Sequence, residues 1–302
     1  MSKLIDTGLL FAFFSTLLLG SNKLAVRKTV FTMDESLATM FSIVLAIPIF
    51  GIPLIFLGFG AQAIPLNAIL IFAATGIVNY SVGRWMVWKS IGAIGANRGN
   101  ILAASQSVYA IAIAVVFLHQ RIDLYIGGGI TLVLLGILII SRRNSTDRRA
   151  FTKAQLRTGL IYGVMGAFFW GLAQVLMQVG IKQYSNPTGA TFLTYSFSLI
   201  GMVPMLFFTS RSAVRHGRTP FKIDRKSLAF VGIVTLMGSF AQFFRYISLV
   251  TVPVTIVATI NGSNPMITLV LSYALIRQIE FIDRKTILGI ISSVAGVILV
   301  TL

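Results

Sequence analysis

The chain has 302 residues, 56% of them hydrophobic and only 11% charged, and its mean hydropathy is +0.88. Soluble domains carry about 25% charged residues, so a soluble catalytic domain is excluded and a membrane protein is expected. The formal net charge of +17 sits in short stretches between apolar runs, which marks topology rather than a nucleic-acid surface. With no cysteine, disulfides and thiol chemistry are excluded as well.

The first apolar segment, 4–24, contains Asp6 and lacks a small-residue cleavage site, which predicts a retained span rather than a leader peptide. Spans follow at 35–57, 66–89, 97–118 and 123–141. A second set lies at 156–179, 187–209, 226–249, 253–276 and 281–302. Ten spans of about 20 residues leave room only for short loops. Lipid offers no partners to backbone groups, and the segments lack the alternation of a barrel, so each should be a helix. Pro48, Pro53, Pro204 and Pro265 fall inside spans and predict kinks.

The two sets repeat one another. The stretch from Gly8 to Gly20 returns from Gly159 to Gly171. Gln120, Gly129 and Gly136 return as Glu280, Gly289 and Gly296. Residues 1–141 therefore form one repeat of five helices, 142–155 a basic connection and 156–302 the other repeat. Five is odd, so the second copy enters the membrane inverted. The expected fold is an all-α integral membrane protein of ten transmembrane helices in two inverted five-helix repeats, an architecture of alternating-access transporters.

Charge sets the expected orientation. The stretches at 141–157 and 210–226 carry six Lys or Arg each. Together with Arg27, Lys28, Lys89, Arg98, Arg277, Arg284 and Lys285 they place nineteen cations on one side, against Lys3, Arg121 and Lys182 on the other. The positive-inside rule puts the central loop in the cytoplasm and both termini outside, in the cell (inner) membrane.

All eight carboxylates, and His119 and His216, lie at span ends or in loops. A proton relay built on buried acids is disfavoured, and metal chemistry lacks its residue types. No metal, cofactor or nucleic-acid partner is expected, and any coupling ion is open. Lys23, Arg84, Lys89 and Arg245 fall within or at the edge of spans. They either snorkel to the interface or attract an anion; Arg84 and Arg245 should do so from opposite mouths of a cavity. The mid-depth polar residues are uncharged: Asn79, Tyr80, Ser105, Gln106, Tyr109, Gln174, Tyr195, Gln242, Asn261 and Asn264. They bridge helices or line a polar cavity with Trp85, Trp88, Trp170 and Tyr109 as aromatic walls.

Several signals agree in order along nearly the whole chain. Trp170-Gly171 sits in the first helix of the second half, with Leu19-Gly20 in the first. Ile94-Gly-Ala-Asn-Arg98 follows the third span. Pro265 marks the fourth span of the second half, where the first half has Ser107. This order resembles the EamA-type branch of the drug/metabolite transporter superfamily. The resemblance implies a ten-helix transporter whose cavity is lined by helices one, three, four, six, eight and nine. It implies a structural or interfacial role for Arg98 and leaves the substrate open. The expected substrate-binding set is Lys23, Asn79, Tyr80, Arg84, Trp88, Gln106, Tyr109, Trp170, Gln174, Arg245, Asn261 and Asn264.

With no nucleotide-binding motif, the expected function is a gradient-driven secondary transporter, an exporter or exchanger of small polar metabolites. The basic and amide residues favour anionic or zwitterionic solutes: amino acids, organic acids or phosphorylated metabolites. A flippase for a lipid-linked substrate and a non-transporting membrane scaffold are the alternatives.

Overall fold

The computed structural model describes residues 2–29, 35–58, 63–94, 99, 102–141, 152–215, 225–275 and 284–301. Among these, all regular structure is helical. The first half holds α1 (Ser2–Thr29), α2 (Glu35–Leu57), α3 (Leu66–Gly76), a π-helical segment (Ile77–Gly83), α4 (Arg84–Ile94), α5 (Gln106–Leu118) and α6 (Leu124–Ser141). The second holds α7 (Lys153–Gln183), α8 (Pro187–Arg215), α9 (Arg225–Thr251), α10 (Val254–Gly262), α11 (Asn264–Leu275) and α12 (Arg284–Thr301). The side chains of Lys23 and Glu280, Arg98 and most of both basic loops lie outside the described residues.

Four stretches are long and apolar enough to cross a membrane: Thr39–Phe56, Leu66–Ile91, Lys153–Gln183 and Leu228–Thr251. Leu102–Leu118, Leu124–Gly136 and Ile287–Val300 are shorter and apolar. Residues such as Ile55, Phe56, Val116 and Leu124 are exposed and form an apolar exterior, as a protein solvated by lipid tails requires. At 1.5 Å per residue the 31 residues of α7 reach about 46 Å, well beyond a hydrocarbon core of about 30 Å. Its start is accordingly polar and capped: Thr152 Oγ1 accepts from Gln155 N, and Gln155 Oε1 accepts from Thr152 N, a reciprocal capping box.

The repeat seen in sequence is also a repeat of contacts. Gly8 packs on Thr251 and Val252 at the end of α9, and Gly159 packs on Ile94 at the end of α4. Gly20 packs on Ile267 and Thr268 of α11, and Gly171 on Tyr109 and Ala110 of α5. Exchanging the halves turns each contact into its counterpart. The last helices of the halves, α6 and α12, pack on each other, and Gly129 meets Gly296 while Gly136 meets Gly289. Rising numbers on one helix meet falling numbers on the other, so these equivalent helices run antiparallel. A side chain at Gly136 would run into Ser293 Oγ and sit 2.6 Å from the Gly289 carbonyl oxygen. Backbone-close packing through small residues is how helices associate where lipid competes for apolar surface.

Two predicted spans are each broken in mid-course. The helix over 102–118 is interrupted at Ser105, and α10 and α11 are separated at Ser263. The hydroxyls of Ser105 and Ser263 donate to the carbonyls of Leu102 and Ile260, each at 2.6 Å. Both backbones have ψ near zero, −6° and −4°, so the helical ladder slips at that residue. The expected kink at Pro265 is therefore made two residues earlier. Pro265 occupies the first turn of α11, where a missing N–H costs nothing. Ser107 occupies the equivalent place beyond the first break.

Candidate functional site

The π-helical segment begins the site. Its wider turn carries the Arg84 backbone N–H to the carbonyl of Asn79, five residues back. The Trp170 indole Nε1 of α7 donates to that same carbonyl at 3.1 Å. Gly83 allows the approach, since a Cβ there would lie 2.7 Å from Trp170 Cδ1. π-bulges are costly and cluster at functional positions. Here the bulge brings Tyr80 and Arg84 together: the Arg84 guanidinium lies over the Tyr80 ring, 4.8 Å from its centroid.

Tyr80 leads to the second half. Its ring lies 4.6 Å from that of Tyr195 on α8. Tyr195 shares hydrogen bonds with Tyr80 and with Ser239 of α9. Arg245 is 6% exposed, and its Nε has no hydrogen-bond partner among the described residues. No described carboxylate pairs with either arginine; the carboxylates stand at the ends of spans. Next along α9, the Tyr246 hydroxyl shares a 2.6 Å hydrogen bond with Thr194 Oγ1. Phe50, Phe240 and Phe243 wall the cluster, with Phe50 stacked parallel to Tyr195. Arg84 thus lies on Tyr80 of the first half, and Arg245 is buried on α9 of the second, one residue before Tyr246.

A second group of polar residues gathers at the two helix breaks. Gly262 of α10 lies against Ser107, where an added Cβ would stand 3.3 Å from Ser107 Oγ, so the two discontinuities face each other. Asn261 and Asn264 flank the break at Ser263, and both are buried. Asn261 Oδ1 lies 2.9 Å from the hydroxyl of Thr16 on α1. Asn261 Nδ2, Asn264 Oδ1, Ser107 Oγ and both amide atoms of Gln174 find no hydrogen-bond partner among the described residues. Buried amides without partners are rare, because each forfeits its hydration for nothing in return. Unlike these, Gln242 is spoken for: its Nε2 lies 3.0 Å from Met177 Sδ.

The remaining predicted residues divide. Gln106 starts α5 and Tyr109 lies one turn on; the carbonyl of Gln106 and the Cβ of Tyr109 pack against Gly171, and the Tyr109 ring meets Phe168 edge-on. Trp88 is half-buried on α4, with no ring contact to the tyrosine cluster. Lys89 is exposed over the Trp85 ring and belongs to the periphery.

Sequence reasoning missed a pair of glutamines. Gln178 Nε2 donates to the Val252 carbonyl at 3.2 Å, and its Oε1 accepts from Val254 N at 3.2 Å and from Gln120 Nε2. Gln120 Oε1 accepts from Thr255 N at 3.2 Å. His119, at φ 50°, ends α5 in a left-handed cap that turns Gln120 into this position. The two side chains fasten α5, α7 and the α9–α10 connection at the end of the bundle where α1 begins. A signal was present: in the register that relates Ser105 to Ser263, two residues off the one that sets Gln120 against Glu280, Gln120 falls on another glutamine, Gln278.

An apolar recess of about 400 Å³ lies elsewhere, between α2 and α8, lined by Ile47, Pro48, Gly51, Ile52, Leu54, Ile55 and Phe192. It holds none of the polar groups above and has the character of a lipid-facing groove. Comparison with known proteins agrees with the contact symmetry. The profile of the EamA-like transporter family matches residues 6–142 and 157–302, one match per half. A solved structure titled only "Crystal structure of protein" superposes with a TM-score of 0.76 over 97% of this chain and 96% of that one, at 13% identity, which establishes a shared fold. No curated protein matches the chain.

Proposed function

Since the chain belongs to the EamA-like transporter family, and is thus a membrane transporter of the drug/metabolite superfamily, we propose that it moves a small anionic or zwitterionic metabolite by alternating access. The carrying observation is Arg245: a guanidinium 6% exposed, with no carboxylate beside it and no partner for Nε among the described residues. A buried cation is stable only when paired, so the group that completes this site is the solute's anion. The unpartnered amide atoms, both of Gln174 with Asn261 Nδ2 and Asn264 Oδ1, supply donors and acceptors to its polar body.

Ten spans, with the central loop cytoplasmic and both termini outside, complete the reading. The antiparallel halves would rock about the tyrosine–arginine centre and expose it to each side in turn. Among the described residues no acid is buried to carry a coupled proton, which favours export or exchange down a gradient. The site set is the one expected from sequence, with Tyr195, Ser239 and Tyr246 added. The groove between α2 and α8 favours one second reading, transport of a lipid-linked solute whose chain lies in that groove.

The test is counterflow in liposomes holding the purified protein. Wild type should exchange an organic acid, phosphorylated metabolite or amino acid, and Arg245→Ala and Arg84→Ala should slow exchange sharply. Wild-type rates in both variants would remove the site from the reading.

A further inference from the structure

We propose, resting on the transporter reading above, that α5 and α10 form one paired gate at the end of the bundle where α1 begins, with Gln120 and Gln178 as its latch. Both elements are half-helices. α5 runs from the break at Ser105 to the cap at His119, and α10 runs from Pro253 to the break at Ser263. They pack on each other, and their inner ends meet at Ser107 and Gly262. Their outer ends meet at the glutamines. Gln120 Oε1 accepts from Thr255 N in the first turn of α10 at 3.2 Å, and Gln178 Oε1 of α7 accepts from Val254 N at 3.2 Å and from Gln120 Nε2. The pair is thus joined at both ends, interrupted at one and tied to α7 at the other.

Two breaks side by side make a hinge. A continuous helix loses backbone hydrogen bonds when it bends, whereas here the serine hydroxyls already satisfy the Leu102 and Ile260 carbonyls. Near the hinge α5 is held by its backbone: a Cβ added at Gly171 of α7 would stand 2.8 Å from both the Ala110 nitrogen and the Gln106 carbonyl oxygen. At the outer end the ties are glutamine amides. When such a bond opens into water both partners become hydrated, so its net cost is small and the latch can release. Val254 and Val257, both fully buried, join Val175 and Met177 in the apolar core and keep this end dry while the latch is shut. One turn deeper than Gln178 on α7 is Gln174, buried and with neither amide atom partnered among the described residues. The latch therefore stands between the end of the bundle and the polar interior.

The test has two arms on the full chain. In lipid nanodiscs, double electron–electron resonance reads the distance between spin labels at His119→Cys and Lys182→Cys, exposed positions next to Gln120 and one turn beyond Gln178, in a chain with no cysteine of its own. Gln178→Ala and Gln120→Ala should each add or enlarge a population at longer distance, and Gln183→Ala, exposed on the same helix, should not. In liposomes, Gln120→Cys and Gln178→Cys are bridged by a short bis-methanethiosulfonate, with the bridge verified by mass. Counterflow of whichever of succinate, glycerol 3-phosphate and glutamine the unbridged pair exchanges should stop on bridging and return on reduction. A static structural tie would leave counterflow unchanged by the bridge. That result, or a distance distribution that neither alanine variant moves, overturns the gate while the transporter reading stands. Exchange of none of the three solutes by wild type would count against the transporter reading, and the distance arm would still decide the gate. Should Gln178→Ala fail to fold, Gln120→Ala and the bridged pair carry the test.

Discussion

Trp170 of the second repeat donates its indole N–H to the carbonyl of Asn79 in the first, at 3.1 Å, across the place where α7 crosses the π-helical segment. That carbonyl also receives the Arg84 backbone N–H. One oxygen thus ties the shape of the bulge to the opposite repeat, and through the bulge it sets where Tyr80 and Arg84 stand. Trp170→Phe keeps the ring and removes the donor. It should cost about 1 kcal/mol, seen as a lower melting temperature, and should weaken substrate binding more than a lost surface contact would.

Gly83 is the steric partner of that bond. Its added Cβ would meet Trp170 Cδ1 at 2.7 Å and the Val78 carbonyl oxygen at 2.9 Å. Gly83→Ala should destabilise by about 1–3 kcal/mol as an overpacked site. Gly232→Ala is the control: nothing lies within 4 Å of its Cβ, so helix propensity alone should leave it neutral or up to about 1 kcal/mol more stable. Melting curves of the two variants side by side check the pair.

Arg245 separates stability from function. A structural arginine would lower the melting temperature when removed. A buried cation without a carboxylate is a burden on the protein alone. Arg245→Met should therefore melt at or above the wild-type temperature while losing stabilisation by solute. Melting scans with and without succinate read both effects.

The glutamine clamp predicts a different pattern. Gln178→Leu leaves the Val254 N–H and the Gln120 amide without their partner, and should cost about 1–3 kcal/mol. It also loosens the bundle at one end. A cysteine placed at Asn264, in a chain with no cysteine of its own, should then react faster with a water-soluble thiol reagent added from the side of the termini.

The antiparallel meeting of α6 and α12 rests on Gly129, Gly136, Gly289 and Gly296. Gly136→Val would force a branched side chain into Ser293 and the Gly289 carbonyl. It should separate the two helices and lower the folded yield in membranes. Fluorescence-detected size-exclusion chromatography would show the loss as a shrinking monodisperse peak.

Much of the frame was legible in the residues. Apolar runs of spanning length, glycines at matching places and a doubled motif gave helices, two halves and their inversion. These features act locally or by simple parity, so they survive in one dimension. The breaks at Ser105 and Ser263 were half visible: the expected Pro265 marked the neighbourhood, but a serine hydroxyl turned back on its own helix makes the break. Other polar residues were visible only as a set, and nothing in their order said which would find partners. Gln178 and Gln242 look alike in sequence to Gln174. The first two are satisfied by Val252, Val254 and Met177, and the third is not.

By itself, then, the sequence determined that this chain lives in lipid, that it is helical, that it is two copies of one unit and that its acids stand away from its centre. Hydrophobicity and charge dictate these, residue by residue. The tertiary structure decided that Tyr80 of the first half and Tyr195 of the second meet ring to ring, with Arg84 over the Tyr80 face. That depends on how far a π-bulge advances one helix and how closely small residues let its neighbours approach. Both are distances between segments far apart in the chain, which composition and periodicity do not encode.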